Sequence, residues 1–143
     1  MSAIELDPKT NTAPRVTALL VSPFDSDHTA MAEVFAQNNW KLYSAFDCKQ
    51  AVELLNQEWI PVVACERRLR DGTWKDLMEA GLQMVRPPKL IVASRSSDEE
   101  LSVEVRNHGG HSVMNTPFDS RELFARISMA CHSWFCEYQA TPA

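Results

Sequence analysis

Four predicted strand ends carry residues that could do chemistry: Ser22 with Pro23, Glu66, Ser94, and Thr116 with Pro117. A carboxylate such as Glu66 can take a phosphoryl group, hold a hard cation or pair with a guanidinium. The hydroxyls of Ser94 and Thr116 can bond phosphate oxygens or nearby backbone. Asp25 and Asp27 follow Ser22 closely, and Asp71 follows Glu66. Arg67, Arg68 and Arg95 are the adjoining cations.

Other chemistries are poorly supported. Cys131, His132 and Cys136 do not have zinc-finger spacing, and the chain has no Cys-x-x-Cys pair. A buried helix residue beside exposed ones explains that triplet. His28, His108, His111 and His132 are scattered and read as loop or cap residues. The four glycines, Gly72, Gly81, Gly109 and Gly110, form neither a Walker loop nor a dinucleotide fingerprint. The formal net charge of −5 gives no basic field for nucleic acid or an anionic membrane. No apolar run approaches the ~18 residues of a membrane span. The first residues lack the basic and apolar parts of a signal peptide. The cytoplasm is therefore the expected compartment, with Cys48, Cys65, Cys131 and Cys136 as thiols.

The 143 residues and 45% apolar content fit one soluble domain with a core of its own. Residues 1–14 read as a loose tail, 15–131 as the domain, and 132–143 as the end of the last helix with a C-terminal tail. Val16–Val21, Val62–Cys65 and Leu90–Ala93 are apolar without alternation, as strands buried on both faces are. Trp40–Ala45 and His111–Asn115 complete five strands. A helix is expected from near Asp27, with Met31, Val34 and Phe35 inward. A second follows the capping pair Asp47 and Gln50, with Ala51, Leu54 and Leu55 inward. After the Asp71-Gly72 turn signal, Trp74, Leu77, Met78 and Leu82 make a third stripe. Ser97 with Glu100 predicts the cap of a fourth helix that buries Leu101 and Val105 and closes at Gly109-Gly110. Asp119 with Glu122 caps a fifth, with Leu123, Phe124, Ile127, Cys131 and Trp134 inward. Strands alternating with helices over short links predict a doubly wound α/β fold on a parallel sheet. Ligands of such folds sit outside the carboxyl ends of the strands, where the four polar positions fall.

Several segments, in this order, resemble the receiver domain of two-component response regulators. They are Leu19-Leu20-Val21, the stretch from Pro61 through Glu66 to Gly72, Leu90–Ser94, Thr116-Pro117-Phe118-Asp119, and the helix Arg121–Ile127. The resemblance covers about residues 15–130. It implies a five-stranded flavodoxin-like sheet in the order 2-1-3-4-5 and a role in bacterial phosphorelay signalling. In that family an aspartate after the third strand accepts a phosphoryl group from a phosphohistidine. Two acidic residues help bind Mg²⁺, and a Ser or Thr and a Lys contact the phosphoryl group. Metal and lysine neutralise charge on the transferred oxygens.

This chain departs from that pattern. The acidic pair falls on Ser22 and Pro23, the acceptor on Glu66 and the lysine on Thr116. The aromatic switch position is Val113. Ser94 remains at the hydroxyl position, and Pro117 is the expected cis proline. Asp25 and Asp27 read as cap or loop charges. Glu66 stands open between a fixed charge imitating a phosphoaspartate and a structural partner of Arg67, Arg68 or Arg95. Ser94 reads as a hydroxyl bonded to local backbone. Trp134 and Phe135 stand open between an exposed apolar patch and packing of the last helix.

The resemblance with these losses implies a pseudo-receiver, a phosphorylation-independent protein-interaction module that is not an enzyme. No metal or cofactor is expected. Its partner would be a histidine kinase or other signalling protein, met through the fourth helix, fifth strand and fifth helix, with the chain a monomer or weak dimer. That face carries Glu99, Glu100, Glu104, Arg106, Arg121 and Arg126. The alternative is residual Mg²⁺-dependent phosphoacceptor activity on a carboxylate such as Asp25 or Asp71. A small-molecule binder on the same scaffold is disfavoured by the glycine-poor loops.

Overall fold

The computed structural model describes residues 16–96 and 98–139. Chain order is β1 (Thr17–Val21), α1 (Asp25–Gln37), β2 (Lys41–Ala45), α2 (Cys48–Gln57), β3 (Val62–Glu66), β4 (Arg68–Leu69) and β5 (Gly72–Thr73). Then come α3 (Trp74–Leu82), β6 (Lys89–Ser94), α4 (Glu99–Asn107), β7 (Ser112–Asn115) and α5 (Ser120–Gln139). Five strands form one parallel sheet in the order β2-β1-β3-β6-β7. Counted among these five alone, that is the expected 2-1-3-4-5. The numbering shifts because β4 and β5 make a separate small antiparallel hairpin around Asp71-Gly72.

Every residue of β1 and β3 is buried, because helices cover both faces of the sheet. Alternate side chains feed two cores. Leu19, Val21, Val63, Cys65 and Val92 pack with Ala51, Leu55, Leu77, Met78, Leu101 and Val105, the apolar stripes of α2, α3 and α4. Ala18, Leu20, Val62, Ala64 and Ile91 pack with Met31, Val34, Phe35, Leu123 and Ile127 from α1 and α5. The period of two along each strand thus sorts the helices into two layers.

Several local expectations change. α1 begins at Asp25 and has no side-chain cap. The strand β2 starts after Trp40, whose ring stacks on Phe124 and meets the edge of Phe35. Leu82 and Phe124 were placed on buried stripes but are 55% and 44% exposed. Gly81 takes the inward position of α3, close under Pro88. Phe124 sits at the rim of α5, where Trp40 covers one side of its ring. Ser97 lies outside the described residues, and the cap of α4 is Asp98, whose side chain accepts the Leu101 N–H at 2.8 Å. That helix ends as expected, with Gly109 at φ 95°, a left-handed conformation glycine adopts freely. Asp47 caps α2 through the Gln50 N–H, and Asp119 caps α5 through the Glu122 N–H. Trp134 is buried and packs edge-on to Trp59, so packing accounts for it.

Because Asp98 supplies the side-chain acceptor at the start of α4, Asp98→Ala should cost about 1 kcal/mol of folding stability. Urea unfolding at neutral pH reads this, and an unchanged midpoint would mean the cap is not stabilising.

Candidate functional site

The carboxyl ends of β1, β3, β6 and β7 bring Ser22, Glu66, Ser94 and Thr116 together, all buried. Pro23 ends β1, and the Ser22 hydroxyl accepts the Phe24 N–H at 3.1 Å. That hydroxyl donates to Asp27 Oδ2 at 2.8 Å. Asp27 is therefore neither a cap nor a solvated loop charge. It is 3% exposed and reaches back from the first turn of α1 into the site. The sequence held a signal for this: Asp27 precedes Met31 by one helical turn, which places it on the buried stripe. Asp25 stays exposed.

The connection after β6 swings Arg95 across these groups. Its guanidinium Nη2 lies 3.7 Å from Asp27 Oδ1. Nη1 donates to Thr116 Oγ1 at 3.2 Å. Its flat face covers the Phe24 ring at 4.4 Å from the centroid. One cation thus joins α1, β7 and the loop after β1. Ser94 Oγ accepts the Ser96 N–H at 3.2 Å, which shapes the turn that presents Arg95. The Thr116-Pro117 bond is cis.

Glu66 is the group left over. It is 7% exposed and its Oε1 has no hydrogen-bond partner. It makes no ion pair among the described residues, since Arg95 approaches Asp27 instead. Burial pushes its carboxyl pKa up, and the Asp27 carboxylate pushes the same way. Arg95 and the Arg67 N–H oppose that shift without cancelling it. The sequence reading of a direct ion pair between Glu66 and an arginine is not met among the described residues.

The remaining candidates lie elsewhere. Asp71 accepts the N–H groups of Cys48 and Lys49 at 2.8 and 3.1 Å, and so caps the start of α2. Those bonds hold its pKa below the usual value. Cys131 is buried, while Cys136 is exposed with Sγ 3.4 Å from His132 Nε2. Among the described residues no three of His, Cys, Asp and Glu converge as a metal site would require.

No protein-family model matches the chain, and no curated protein matches it in sequence. Solved structures do match. A signal receiver domain from Vibrio parahaemolyticus superposes with a TM-score of 0.82 at 15% identity, covering 90% of this chain and 99% of that one. The signal receiver domain of an HD domain-containing protein from Pseudomonas fluorescens Pf-5 gives 0.75 at 21% identity, over 84% and 97% of the two chains. A CheY-like response regulator receiver domain from Methanospirillum hungatei JF-1 gives 0.75 at 16%, over 85% and 98%. The fold is the receiver fold. On the receiver fold, Ser22 and Pro23 stand at the end of β1, Glu66 at the end of β3, Ser94 at the end of β6 and Thr116 after β7. The feature that receiver-based reading missed is Arg95 lying across Asp27 and Thr116.

Because the folded state raises the Glu66 pKa, the folded chain takes up a proton more readily than the unfolded one. The associated stability is fully present below the unfolded value of about 4.3 and is lost as pH rises through the raised native value. Glu66→Gln should therefore raise the thermal midpoint at pH near 7, with the gain shrinking toward pH about 4. A fall in the midpoint at neutral pH would show that the ionised carboxylate is held by a favourable partner.

Proposed function

We propose that this chain is a receiver-type signalling domain that acts without phosphorylation, as a protein-interaction module. The observation that carries the reading is the Arg95 guanidinium lying on Asp27 and Thr116. Phosphoryl transfer needs cations placed where charge develops on the moving oxygens. Here the cation at the strand ends is held by the chain's own carboxylate and hydroxyl. Ser22 and Pro23 offer no carboxylate for Mg²⁺. Burial also disfavours the ionised form of Glu66, which is the nucleophilic form. The same reading makes the domain a non-enzyme.

A partner surface is available between α4, β7 and α5. Ser102, Arg106, His111, Ser112 and Arg126 line a groove of about 360 Å³ there. β7 is an edge strand of the sheet, so its outer side is unpaired by other strands. A signalling protein such as a histidine kinase is the partner this reading assigns, with the chain in the cytoplasm as a monomer or weak dimer. No helix among the described residues is long and apolar enough to cross a membrane. Residual phosphoacceptor activity on Asp71 is disfavoured, because both its oxygens are engaged at the start of α2.

Incubation with acetyl phosphate and Mg²⁺, followed by intact-mass measurement, tests the reading. No phosphoryl adduct is expected. An adduct removed by substituting Asp25, Asp27, Glu66 or Asp71 would replace this reading with a working phosphoacceptor.

A further inference from the structure

The opposite end of the sheet holds a cleft of its own. The strands run parallel, so the chain just before β3 and β6 lies away from the ends that carry Glu66 and Ser94. There the α2–β3 and α3–β6 connections and the C-terminal half of α5 border an open groove of about 390 Å³. Small-molecule sites span about 300–1,000 Å³. Leu55, Ile60, Met84 and Val85 give the groove apolar walls, and Trp59 and Trp134 give it aromatic ones. Val85 is 96% exposed and Trp59 53%, so large apolar groups stand in water here.

Trp134 is the residue that points to a ligand. It is 2% exposed, and its indole N–H has no hydrogen-bond acceptor. A buried donor left unpaired is destabilising, and a buried tryptophan N–H ordinarily finds a partner. Packing accounts for the ring and leaves the N–H unexplained. Three aromatic rings surround it, with centroids at 5.1 Å for Trp59, 5.2 Å for Phe135 and 5.0 Å for Tyr138. Of these three only Trp59 also lines the groove. The charges nearby favour the same kind of ligand. Glu58, the acid on the groove, already accepts the Tyr43 hydroxyl at 3.1 Å. Arg86, the cation on it, forms no ion pair among the described residues. Burial and Glu137 raise the Tyr138 pKa, and the Arg86 charge opposes them, which sets Arg86 near the Tyr138 side of the aromatic cluster. An orphan donor and an uncommitted cation both call for an acceptor oxygen. We propose that this groove binds a flat aromatic molecule carrying a carbonyl or carboxylate oxygen. Its ring lies on Trp59, which turns as the ligand enters, and its oxygen accepts the Trp134 N–H.

This inference does not rest on the partner-binding reading, and ligand binding and acetyl phosphate labelling are separate readouts. Cinnamate is the probe, titrated into the millimolar range and followed by the indole N–H resonances of the four tryptophans. The Trp134 resonance should shift saturably, while those of Trp40 and Trp74, which lie off the groove, stay in place. Trp134→Phe keeps an aromatic ring and removes the donor, so it should weaken binding about fivefold or more. Trp59→Ala, at an exposed position, should weaken it about tenfold. Circular dichroism checks the fold of both, and the wild-type titration stands on its own if Trp134→Phe does not fold. Cinnamamide separates the two oxygen sources: weaker binding than cinnamate assigns a carboxylate met by Arg86, and equal or tighter binding assigns a neutral carbonyl. Cyclohexanecarboxylate should bind more weakly than cinnamate, and equal binding would overturn the aromatic class. No saturable shift at Trp134, or binding unchanged by both substitutions, would overturn the site. A Trp134 resonance that moves with protein concentration and not with cinnamate would assign the groove to a second copy of the chain and would also overturn it.

Discussion

Asp27 is a carboxylate 3% exposed to solvent, sitting where four parallel strands end. A charge taken out of water needs compensation, or the protein is destabilised by several kcal/mol. Compensation comes from two sides. Ser22, at the end of β1, donates its hydroxyl proton. Arg95, just past the end of β6, brings the guanidinium. The same guanidinium donates to Thr116 Oγ1, just past the end of β7. Three connections are thereby tied to one buried charge.

Glu66 receives what this arrangement does not use. The Arg95 guanidinium approaches Asp27, and Glu66 is buried with an unpartnered oxygen. Its raised pKa follows from burial first and from Asp27 second. A group in that state responds to protons and to ligands more readily than a fully paired one. The strand-end cleft is in this sense a place where small changes in charge are felt, although the surrounding sheet is fully packed. Thr116 directly follows β7, so its hydrogen bond from Arg95 links the strand ends to the edge strand of the sheet.

The layout of the sheet was legible in the sequence because buried parallel strands leave uninterrupted apolar runs, and Val62–Cys65 and Leu90–Ala93 are such runs. The helices were legible through their stripes, but their rims were not. Leu82 and Phe124 fit the period and still face solvent, because period gives a direction and not the edge of the layer. The β4–β5 hairpin is two residues on each side, too short to leave a pattern. At the site, the positions of Ser22, Glu66, Ser94 and Thr116 followed from where each run stops. The buried role of Asp27 was written in its spacing to Met31 but was outweighed by the usual role of acids in a first helical turn. The choice of Arg95 for Asp27 over Glu66 depends on side-chain reach across three loops, which no one-dimensional pattern encodes.

In the proposed function, the Arg95 guanidinium does the neutralising work of a divalent cation at these strand ends. A Mg²⁺ titration into the millimolar range, followed by amide NMR, addresses it directly. The account predicts that the amides of Ser22, Phe24, Asp27, Glu66, Arg67, Ser94, Arg95 and Thr116 keep their positions throughout. Saturable shifts at those amides, lost on substitution of Asp27 or Glu66, would contradict it.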